Sequence, residues 1–459
     1  MGKKYISESL KNVTKISSGT VAGQIISIIT LPILTRLYGA EVIGIWTVIN
    51  SFSNIVQNIC DLGLSNSLMM CKQKEIEERY SIIIKLSCIL SIISSAVIFV
   101  YYLIIGENIK YALTVCGFLA VYAFTLRRIT ICTTILNRNK EYDVLMKNSV
   151  IRFGSTAIVA IFLGEIGFLE YGYYIGNVIG QIITVVHMRK FLPRLQLRNK
   201  TSDYVDIFKN NFDYIRYQMP ASITVTLRTE LPNLLIGGLF GNTMLGYFAV
   251  SQKLLTIPVT FLGQALGKVF FQRIAEMKRT GKQIGEFVER NINRGMLIAL
   301  VPMTLLAAFG DAAIVLFFGE EYSIGGVICR IIVYRSLFNF ISSATQGIDI
   351  VLDKQKYVLY TCLAQTVLAV ISVLCGYYVF DSIYATSVFL AGIFILVQIV
   401  YFYKMYGVMQ LNSWKYVRNM ILVMLGMFLV STVLRYGVIA ILHSFPIGLF
   451  KYLLKLFVM

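Results

Sequence analysis

The chain has 459 residues, of which 57% are hydrophobic and only 14% are charged, and its mean hydropathy is +0.71. Because soluble domains are about a quarter charged, this composition excludes an ordinary soluble protein and predicts an integral membrane protein. The formal net charge of +18 does not indicate a nucleic-acid-binding protein, since the basic residues gather in alternate loops between apolar segments.

Apolar segments long enough to cross about 30 Å of hydrocarbon recur along the whole chain. We predict helical spans at 16–37, 42–71, 80–105, 110–137, 143–164, 167–187, 212–240, 243–272, 290–317, 323–351, 356–378 and 382–406, followed by a pair at 416–434 and 436–458. The last segment is the weakest, because it is interrupted by His443, Pro446, Lys451 and Lys455. The prediction is an all-α polytopic membrane protein with 12–14 transmembrane helices, of which 14 is favoured.

The charges of the loops orient the chain. With the N-terminus in the cytoplasm, every cytoplasmic loop is basic, and the longest one carries Arg189, Lys190, Arg194, Arg198, Lys200 and Lys209. The opposite loops are acidic or nearly neutral, with residues such as Glu41, Glu165, Glu170, Glu320 and Glu321. This alternation is the positive-inside pattern of a multi-pass protein, and it predicts a cytoplasmic N-terminus.

An internal repeat predicts the architecture. Residues 37–48 read LYGAEVIGIWTV and residues 239–250 read LFGNTMLGYFAV, and each copy follows a proline-containing span. Six predicted helices separate the copies, so the repeats have parallel orientation, related by an axis along the membrane normal. The predicted domains are two six-helix lobes at 1–187 and 212–406, a basic cytoplasmic linker at 188–211, and a C-terminal helix pair within 407–459.

Ionisable side chains lie within the predicted spans, where each requires a partner or a water-filled cavity. The cations, which we predict to bind substrate, are Arg127, Arg128, Arg152, Arg228, Lys253, Arg330 and Arg335. Acids at comparable depth are fewer, namely Asp61, Glu230 and Asp311, and the sequence leaves open whether Glu230 neutralises Arg228. The excess positive charge predicts a cationic cavity for an anionic group, since arginine binds phosphate oxygens in bidentate fashion.

Polar residues follow helical spacing in two of these spans. In the second span they are Asn50, Asn54, Asn58 and Asp61, and in the tenth they are Arg335, Asn339, Ser342, Gln346 and Asp349. We predict that Asn50, Asn54, Asn58, Asn339 and Gln346 line the cavity. The alternative is that such residues form hydrogen bonds between packed helices, which contribute about 0.6–2 kcal/mol each.

Signatures of enzymatic chemistry are missing from the sequence. There is no GxxxxGK[ST] motif for nucleotide hydrolysis, and the eight cysteines are scattered without a CxxC pair. The two histidines, His187 and His443, lie near span ends away from any carboxylate or cysteine cluster. We therefore predict no catalytic residues, no metal site and no cofactor.

The stretch SSGTVAGQIISIITLPILTRLYGAEVIGIWTVINSF resembles the first two helices of the polysaccharide biosynthesis (Wzx-type) flippases, which carry O-antigen and other lipid-linked oligosaccharides. These belong to the multidrug/oligosaccharidyl-lipid/polysaccharide superfamily, which includes the multidrug (MATE) exporters and the peptidoglycan lipid II flippase. ILNRNKEYDVLMKN after the fourth span and GNTMLGYFAVSQKL at the eighth are similar to the same family.

The resemblance implies a flippase of the bacterial cytoplasmic (inner) membrane. Its cargo would be an undecaprenyl-pyrophosphate-linked oligosaccharide, an O-antigen or capsule repeat unit, moved from the inner to the outer leaflet by alternating access. Besides this substrate and membrane lipids, the implied partners are a polysaccharide polymerase and a chain-length regulator. A proton or sodium gradient would drive transport, and Asp61, Glu230 and Asp349 are the candidate coupling residues. The first span has no buried cation before Arg36, which disfavours a peptidoglycan precursor as cargo.

Three other functions remain open from the sequence. A MATE-type drug or metabolite antiporter would normally stop at twelve helices, and the cationic spans would repel a cationic drug. A membrane-embedded glycan polymerase or glycosyltransferase would need an acidic catalytic pair or a large external loop. A scaffold for envelope assembly would leave the arginines within the spans without a role.

Overall fold

The computed structural model describes residues 2–196 and 199–444, and all regular elements among them are helical. The first eight α-helices are α1 (Gly2–Asp61), α2 (Ser65–Met70), α3 (Ile76–Ile104), α4 (Ile109–Arg138), α5 (Tyr142–Glu165), α6 (Gly172–Met188), α7 (Thr201–Asn210) and α8 (Met219–Phe240). The others are α9 (Asn242–Pro258), α10 (Gln264–Arg279), α11 (Gly285–Phe318), α12 (Ser323–Ala344), α13 (Ile348–Val351), α14 (Gln355–Tyr378), α15 (Ile383–Val408) and α16 (Ser413–Ser444). The predicted all-α polytopic fold is confirmed.

Ten helical segments of the described residues are long and apolar enough to cross a membrane. One of them, Ser18–Asp61, contains the first two predicted spans, and another, Asn242–Arg279, joins α9 to α10 through a short π-helix. The predicted spans at 167–187 and 212–240 coincide with α6 and α8, which are outside these ten. α6 has only 17 residues, and α8 carries charged residues in its middle.

The two copies of the sequence repeat share one backbone feature. α1 is interrupted at Gly39, where φ is 75° and ψ is 172°, and Gly241 between α8 and α9 has φ 88° and ψ 165°. Positive φ values of this size favour glycine, because a Cβ would clash with the backbone. The tight turn predicted for both copies is therefore confirmed in each, while the relation of the two lobes by an axis stays a prediction.

The end of the described chain differs from the predicted helix pair. α16 runs without a break from Ser413 to Ser444, so the separation predicted between 434 and 436 is wrong. The physical reason is that Arg435, which marked the predicted loop, lies inside the helix with its guanidinium 2.7 Å from the buried Asp311 carboxylate. A neutralised charge does not end a transmembrane helix. The rest of the predicted last span, 445–459, lies outside the described residues.

Contacts divide the chain into two compact units at Leu234, within α8. The division lies after the predicted linker because the first part of α8 bonds to α1, with Asn58 Nδ2 donating to Thr226 Oγ1 at 2.8 Å. The linker itself contacts α3: Lys85 Nζ donates to Asn199 Oδ1 at 2.7 Å, and the Gln196 amide donates to Ser81 Oγ at 2.8 Å. Its connection to α3 places it in the first unit.

Small residues let the helices of the first unit pack closely, as they do in membrane helix bundles. A Cβ at Gly19 of α1 would lie 2.2 Å from the Met146 carbonyl oxygen of α5. A Cβ at Gly176 of α6 would lie 2.7 Å from Ala160 Cβ and 2.9 Å from the Ala160 amide nitrogen of α5. The positions of these three helices therefore depend on the absence of side chains at the contacts.

We expect Gly176→Ala to destabilise the first unit by about 1–3 kcal/mol, the usual cost of forcing extra volume into a packed contact. Gly154→Ala on α5 is the matched control, because a Cβ there has no neighbour within 4 Å. Thermal unfolding of the purified protein in detergent measures both. Equal melting temperatures of the two variants would show that α5 and α6 are not packed as described.

Candidate functional site

Two predicted site residues of the first unit form a buried ion pair. Asp61 lies at the end of α1 and Arg127 lies on α4, where only 4% of its surface is exposed. The Arg127 Nη2 donates to Asp61 Oδ1 and to Ser65 Oγ. Each charge is therefore satisfied by the other. The ion pair therefore connects α1 to α4. Because the Asp61 carboxylate is already paired with Arg127, it is less available to bind a coupling ion.

Two more of the predicted arginines contact aromatic groups. Arg128 lies beside the Tyr80 hydroxyl, between α4 and α3. The guanidinium carbon of Arg152 on α5 is 4.6 Å from the centroid of the Phe153 ring, close to the Tyr122 phenol. An arginine over an aromatic face is stabilised by cation–π attraction without losing its charge. Both side chains thus carry a positive charge within the helices of the first unit.

Glu230 on α8 is held by neutral hydrogen-bond donors. Ser51 Oγ donates to Oε2 at 2.7 Å, Asn54 Nδ2 donates to Oε1 at 3.0 Å, and Asn233 Nδ2 lies 3.5 Å from Oε2. Arg228 lies two residues earlier on α8, and side chains at this spacing on a helix point in different directions. The hydrogen bonds of Glu230 thus come from uncharged groups on α1 and α8.

The predicted asparagines of the second span have different surroundings. Asn54 binds Glu230, and Asn58 Nδ2 donates to both Thr226 Oγ1 at 2.8 Å and the Asn54 carbonyl oxygen at 2.9 Å. Asn50 is half-buried one turn earlier on α1. Two of the three asparagines thus connect α1 to α8, Asn54 through the Glu230 carboxylate and Asn58 through Thr226.

The environment of Glu230 has a chemical consequence. A carboxylate within a transmembrane segment is a functional-site hypothesis in itself. Here the nearby groups are a hydroxyl and two amide NH2 groups that donate to the carboxylate, and the hydroxyl can also accept a hydrogen bond from a protonated carboxyl group. Among the described residues there is no cluster of three or more histidine, cysteine, aspartate or glutamate side chains that could hold a metal ion.

The predicted site residues of the second unit are more dispersed. The guanidinium carbon of Arg335 on α12 is 4.7 Å from the centroid of the Phe394 ring on α15. Ser342, on the polar face of α12, is 3.4 Å from Gln398 Oε1, so part of this face connects helices as the alternative interpretation proposed. The remaining predicted residues are exposed or half-buried, namely Lys253, Asn339, Gln346 and Asp349.

Arg330 takes part in a cluster that sequence reasoning found only in part. Its Nη1 is 3.4 Å from Asp311 Oδ2, and the same oxygen is 2.7 Å from Nη1 of Arg435. Arg435 is absent from the predicted site because it lies between the predicted spans 416–434 and 436–458. The signal that could have identified it is the length of the apolar sequence on both sides of it.

Residues 33–324, more than half of the chain, match the family described as polysaccharide biosynthesis protein. The chain belongs to this family. The predicted resemblance is thereby confirmed for the polysaccharide biosynthesis family.

Two curated relatives fit this family assignment. The chain is 26% identical over 115 residues to the capsular polysaccharide biosynthesis protein CapF of Staphylococcus aureus, a match that covers 25% of this chain and 29% of CapF. It is 25% identical over 202 residues to the teichuronic acid biosynthesis protein TuaB of Bacillus subtilis (strain 168), covering 41% of this chain and 39% of TuaB. Both matches span less than half of the relative's length.

Solved structures show the fold of this polysaccharide biosynthesis protein. The lipid II flippase MurJ in an inward closed conformation has a TM-score of 0.69 at 13% identity and covers 96% of both chains. An inward-facing multidrug resistance MATE family transporter of the MOP superfamily has a TM-score of 0.62 at 14% identity, covering 84% of this chain and 94% of that one. At these identities the likeness establishes a multi-pass membrane fold.

Proposed function

We propose that the protein is a flippase that moves an undecaprenyl-pyrophosphate-linked oligosaccharide from the inner to the outer leaflet of a bacterial cytoplasmic membrane by alternating access. The family assignment supports a role in polysaccharide biosynthesis. The fold is shared with a lipid II flippase and with multidrug transporters. The names of the curated relatives favour a capsule or teichuronic acid type of repeat unit over an O-antigen.

The observation that carries this proposal is the charge balance of the first unit. Asp61 is occupied by Arg127, and Glu230 is held by neutral donors. Arg128 and Arg152 lie instead beside Tyr80 and Phe153, and arginines outnumber acids within the membrane-embedded helices of this unit. A pyrophosphate group offers the complementary charge, and arginine matches its oxygen atoms.

The driving force is proposed to act through Glu230. Binding of a proton or a sodium ion would neutralise the carboxylate and change its hydrogen bonds to Ser51 and Asn54, which connect α8 to α1. Neutralisation within the membrane changes the electrostatic free energy of the group by several kcal/mol. Coupling of that change to the position of α8 would link the ion gradient to transport.

The proposal is tested with purified protein in liposomes that contain undecaprenyl-pyrophosphate-linked oligosaccharide extracted from cells. An enzyme added outside modifies the sugars only in the outer leaflet, so a flippase makes the inner pool accessible with time. We expect the accessible fraction to rise from about half toward completeness. An unchanged accessible fraction, with an intact folded protein, would contradict flipping.

Removing a positive charge from a span should slow this transport. Hydrogen bonds to charged groups contribute about 1.5–3 kcal/mol, so we expect Arg152→Ala to reduce the initial rate roughly 10- to 100-fold. Arg228→Ala and Arg335→Ala are expected to act in the same direction. Arg152→Lys keeps the positive charge but loses the planar guanidinium group that binds phosphate in bidentate fashion, so its transport rate should be intermediate.

Lys278→Ala is the matched control, since Lys278 is exposed at the C-terminal end of α10 and pairs with Asp353. Its rate should equal that of the unaltered protein. If Arg152→Ala, Arg228→Ala and Arg335→Ala all transport normally at normal protein level, the positive charge of the spans does not bind pyrophosphate. Export of a cationic dye by the same vesicles would instead support the MATE-type antiporter.

A further inference from the structure

A second cationic site lies in the second unit, apart from Glu230 and the arginines of the first. Asp311 on α11 is 4% exposed, and its Oδ2 atom is shared by Arg330 of α12 and Arg435 of α16. Backbone carbonyls assist both guanidiniums: Arg330 Nε donates to the Ala307 oxygen and Arg435 Nη1 to the Ala308 oxygen, each at 3.1 Å. One carboxylate between two guanidiniums leaves a net positive charge.

The two arginines face a cavity of about 750 Å³ between α11, α12, α15 and α16. They are the charged members of its lining, which has no aspartate or glutamate, because Asp311 lies behind them. Hydroxyl groups in the lining belong to Tyr334, Ser431, Thr432 and Tyr436, and most of the remaining wall is aliphatic or aromatic. The lining thus combines an anion-binding end with an apolar surface.

The cavity is open to the lipid-facing surface of α15 and α16. Val388 and Phe428, which line it, are 51% and 55% exposed. Asp311 lies seven residues before the end of α11 at Phe318, and Arg330 lies seven residues after the start of α12 at Ser323. At 1.5 Å per residue the cluster is about 10 Å below the turn between these helices. By the predicted topology this turn is on the outer side, near the headgroups of the outer leaflet.

We propose that this cavity binds an anionic phospholipid of the outer leaflet. The phosphate would contact Arg330 and Arg435, and an acyl chain would lie against residues such as Ile331, Ile395 and Phe428. Arginine pairs and hydroxyl groups are the donors that phosphate oxygens require, and basic pockets between transmembrane helices bind lipid headgroups in this way.

Other occupants fit the lining less well. An oligosaccharide needs amide and carboxylate side chains for its hydroxyl groups, and the lining has no asparagine, glutamine, aspartate or glutamate. The C-terminal residues 445–459 have Lys451 and Lys455 and no acidic side chain, so their side chains would add positive charge. A glycerophospholipid supplies both the phosphate and the apolar chain. It would also bridge α12 and α16 and hold α16 in place.

The test uses the purified full chain in a neutral detergent. Phosphatidylglycerol is titrated while bound lipid is counted by native mass spectrometry and the melting temperature is recorded. We expect saturable binding of phosphatidylglycerol with a rise in melting temperature. Phosphatidylcholine, whose headgroup is zwitterionic, should bind at least about tenfold more weakly.

Arg330→Gln is the informative variant, because it leaves the 2.7 Å pair of Arg435 with Asp311 intact and is expected to fold. We expect it to weaken phosphatidylglycerol binding about tenfold. Arg273→Gln, which alters an exposed arginine on α10, is the control and should bind like the unaltered protein. Unchanged affinity in Arg330→Gln would overturn the proposal.

Competition experiments separate the sources of phosphate. Inorganic phosphate that produces the full stabilisation without lipid would show a free-anion site and overturn the lipid assignment. Displacement of phosphatidylglycerol by micromolar lipid-linked oligosaccharide would assign the site to the transported substrate instead. Stronger binding after deletion of residues 445–459 would show that this segment occupies the cavity. If the cavity binds an anionic phospholipid, none of these three results is expected. The lipid-binding test does not depend on whether transport is detected.

Discussion

Replacing Glu230 with glutamine should uncouple transport from the ion gradient. Glutamine keeps the size of the side chain and one acceptor oxygen, replaces the other oxygen with an NH2 donor, and carries no charge that could bind a proton or a cation. In liposomes with an imposed proton or sodium gradient, we expect the gradient-stimulated initial rate of Glu230→Gln to fall more than about tenfold, which corresponds to at least 1.4 kcal/mol. The Glu230→Gln variant would retain a slow transport rate that does not change with the gradient.

Two further variants make the Glu230 experiment specific. Asp349→Asn tests the other candidate acid, which lies in the short helix α13, and it is expected to keep its response to the gradient. Glu276→Gln alters an exposed acid paired with Arg273 and controls for loss of a negative charge. A normal gradient response in Glu230→Gln combined with its loss in Asp349→Asn would move the coupling site to α13.

Breaking the Asp61–Arg127 pair should cause the largest loss of stability. Removal of one member of a buried ion pair leaves the other charge uncompensated and costs about 3–5 kcal/mol. We therefore expect Arg127→Met to lower the free energy of unfolding by this amount, since Arg127 is 4% exposed and bonds to both Asp61 and Ser65. Reversible unfolding in mixed micelles, followed by circular dichroism, measures the change.

The double variant Asp61→Leu/Arg127→Met distinguishes charge from packing. Replacing both charges with apolar groups of similar volume is often neutral, so the double variant should recover most of the lost stability. The exposed pair of Arg273 and Glu276 is the control, and Arg273→Met should change stability by about 1 kcal/mol or less. Equal destabilisation of the single and double variants at position 127 would show that packing, not charge, is responsible.

Sequence reasoning located the helices well because the hydrophobic length of a span is a local property. Most residues of the first twelve predicted spans are helical, and the sequence repeat predicts the turns found at Gly39 and Gly241. The break predicted near Arg435 was wrong, because the cost of a charge in a helix depends on a partner 124 residues earlier in the sequence, Asp311. Local patterns do not contain that partner.

The residue types of the candidate site could be predicted from the sequence, but the partner of each charged residue could not. The excess of cations over acids could be counted from the sequence, and Glu230 was identified as one of three candidate acids. Which acid is paired depends on how α1 packs against α4 and α8, and local sequence patterns do not contain this tertiary packing. For this reason Asp61 and Glu230 looked alike in the sequence although their partners differ.

The most direct test of the central claim is the sidedness of lipid-linked oligosaccharide in cells depleted of this protein. Spheroplasts are treated with an impermeant sugar-oxidising reagent, and the labelled fraction of the undecaprenyl-pyrophosphate-linked units is measured with and without re-expression. We expect completed units to accumulate unlabelled on the cytoplasmic leaflet and to become labelled again on re-expression. Units that reach the outer leaflet in depleted cells but remain unpolymerised would contradict a flippase and indicate a role in polymerisation or assembly.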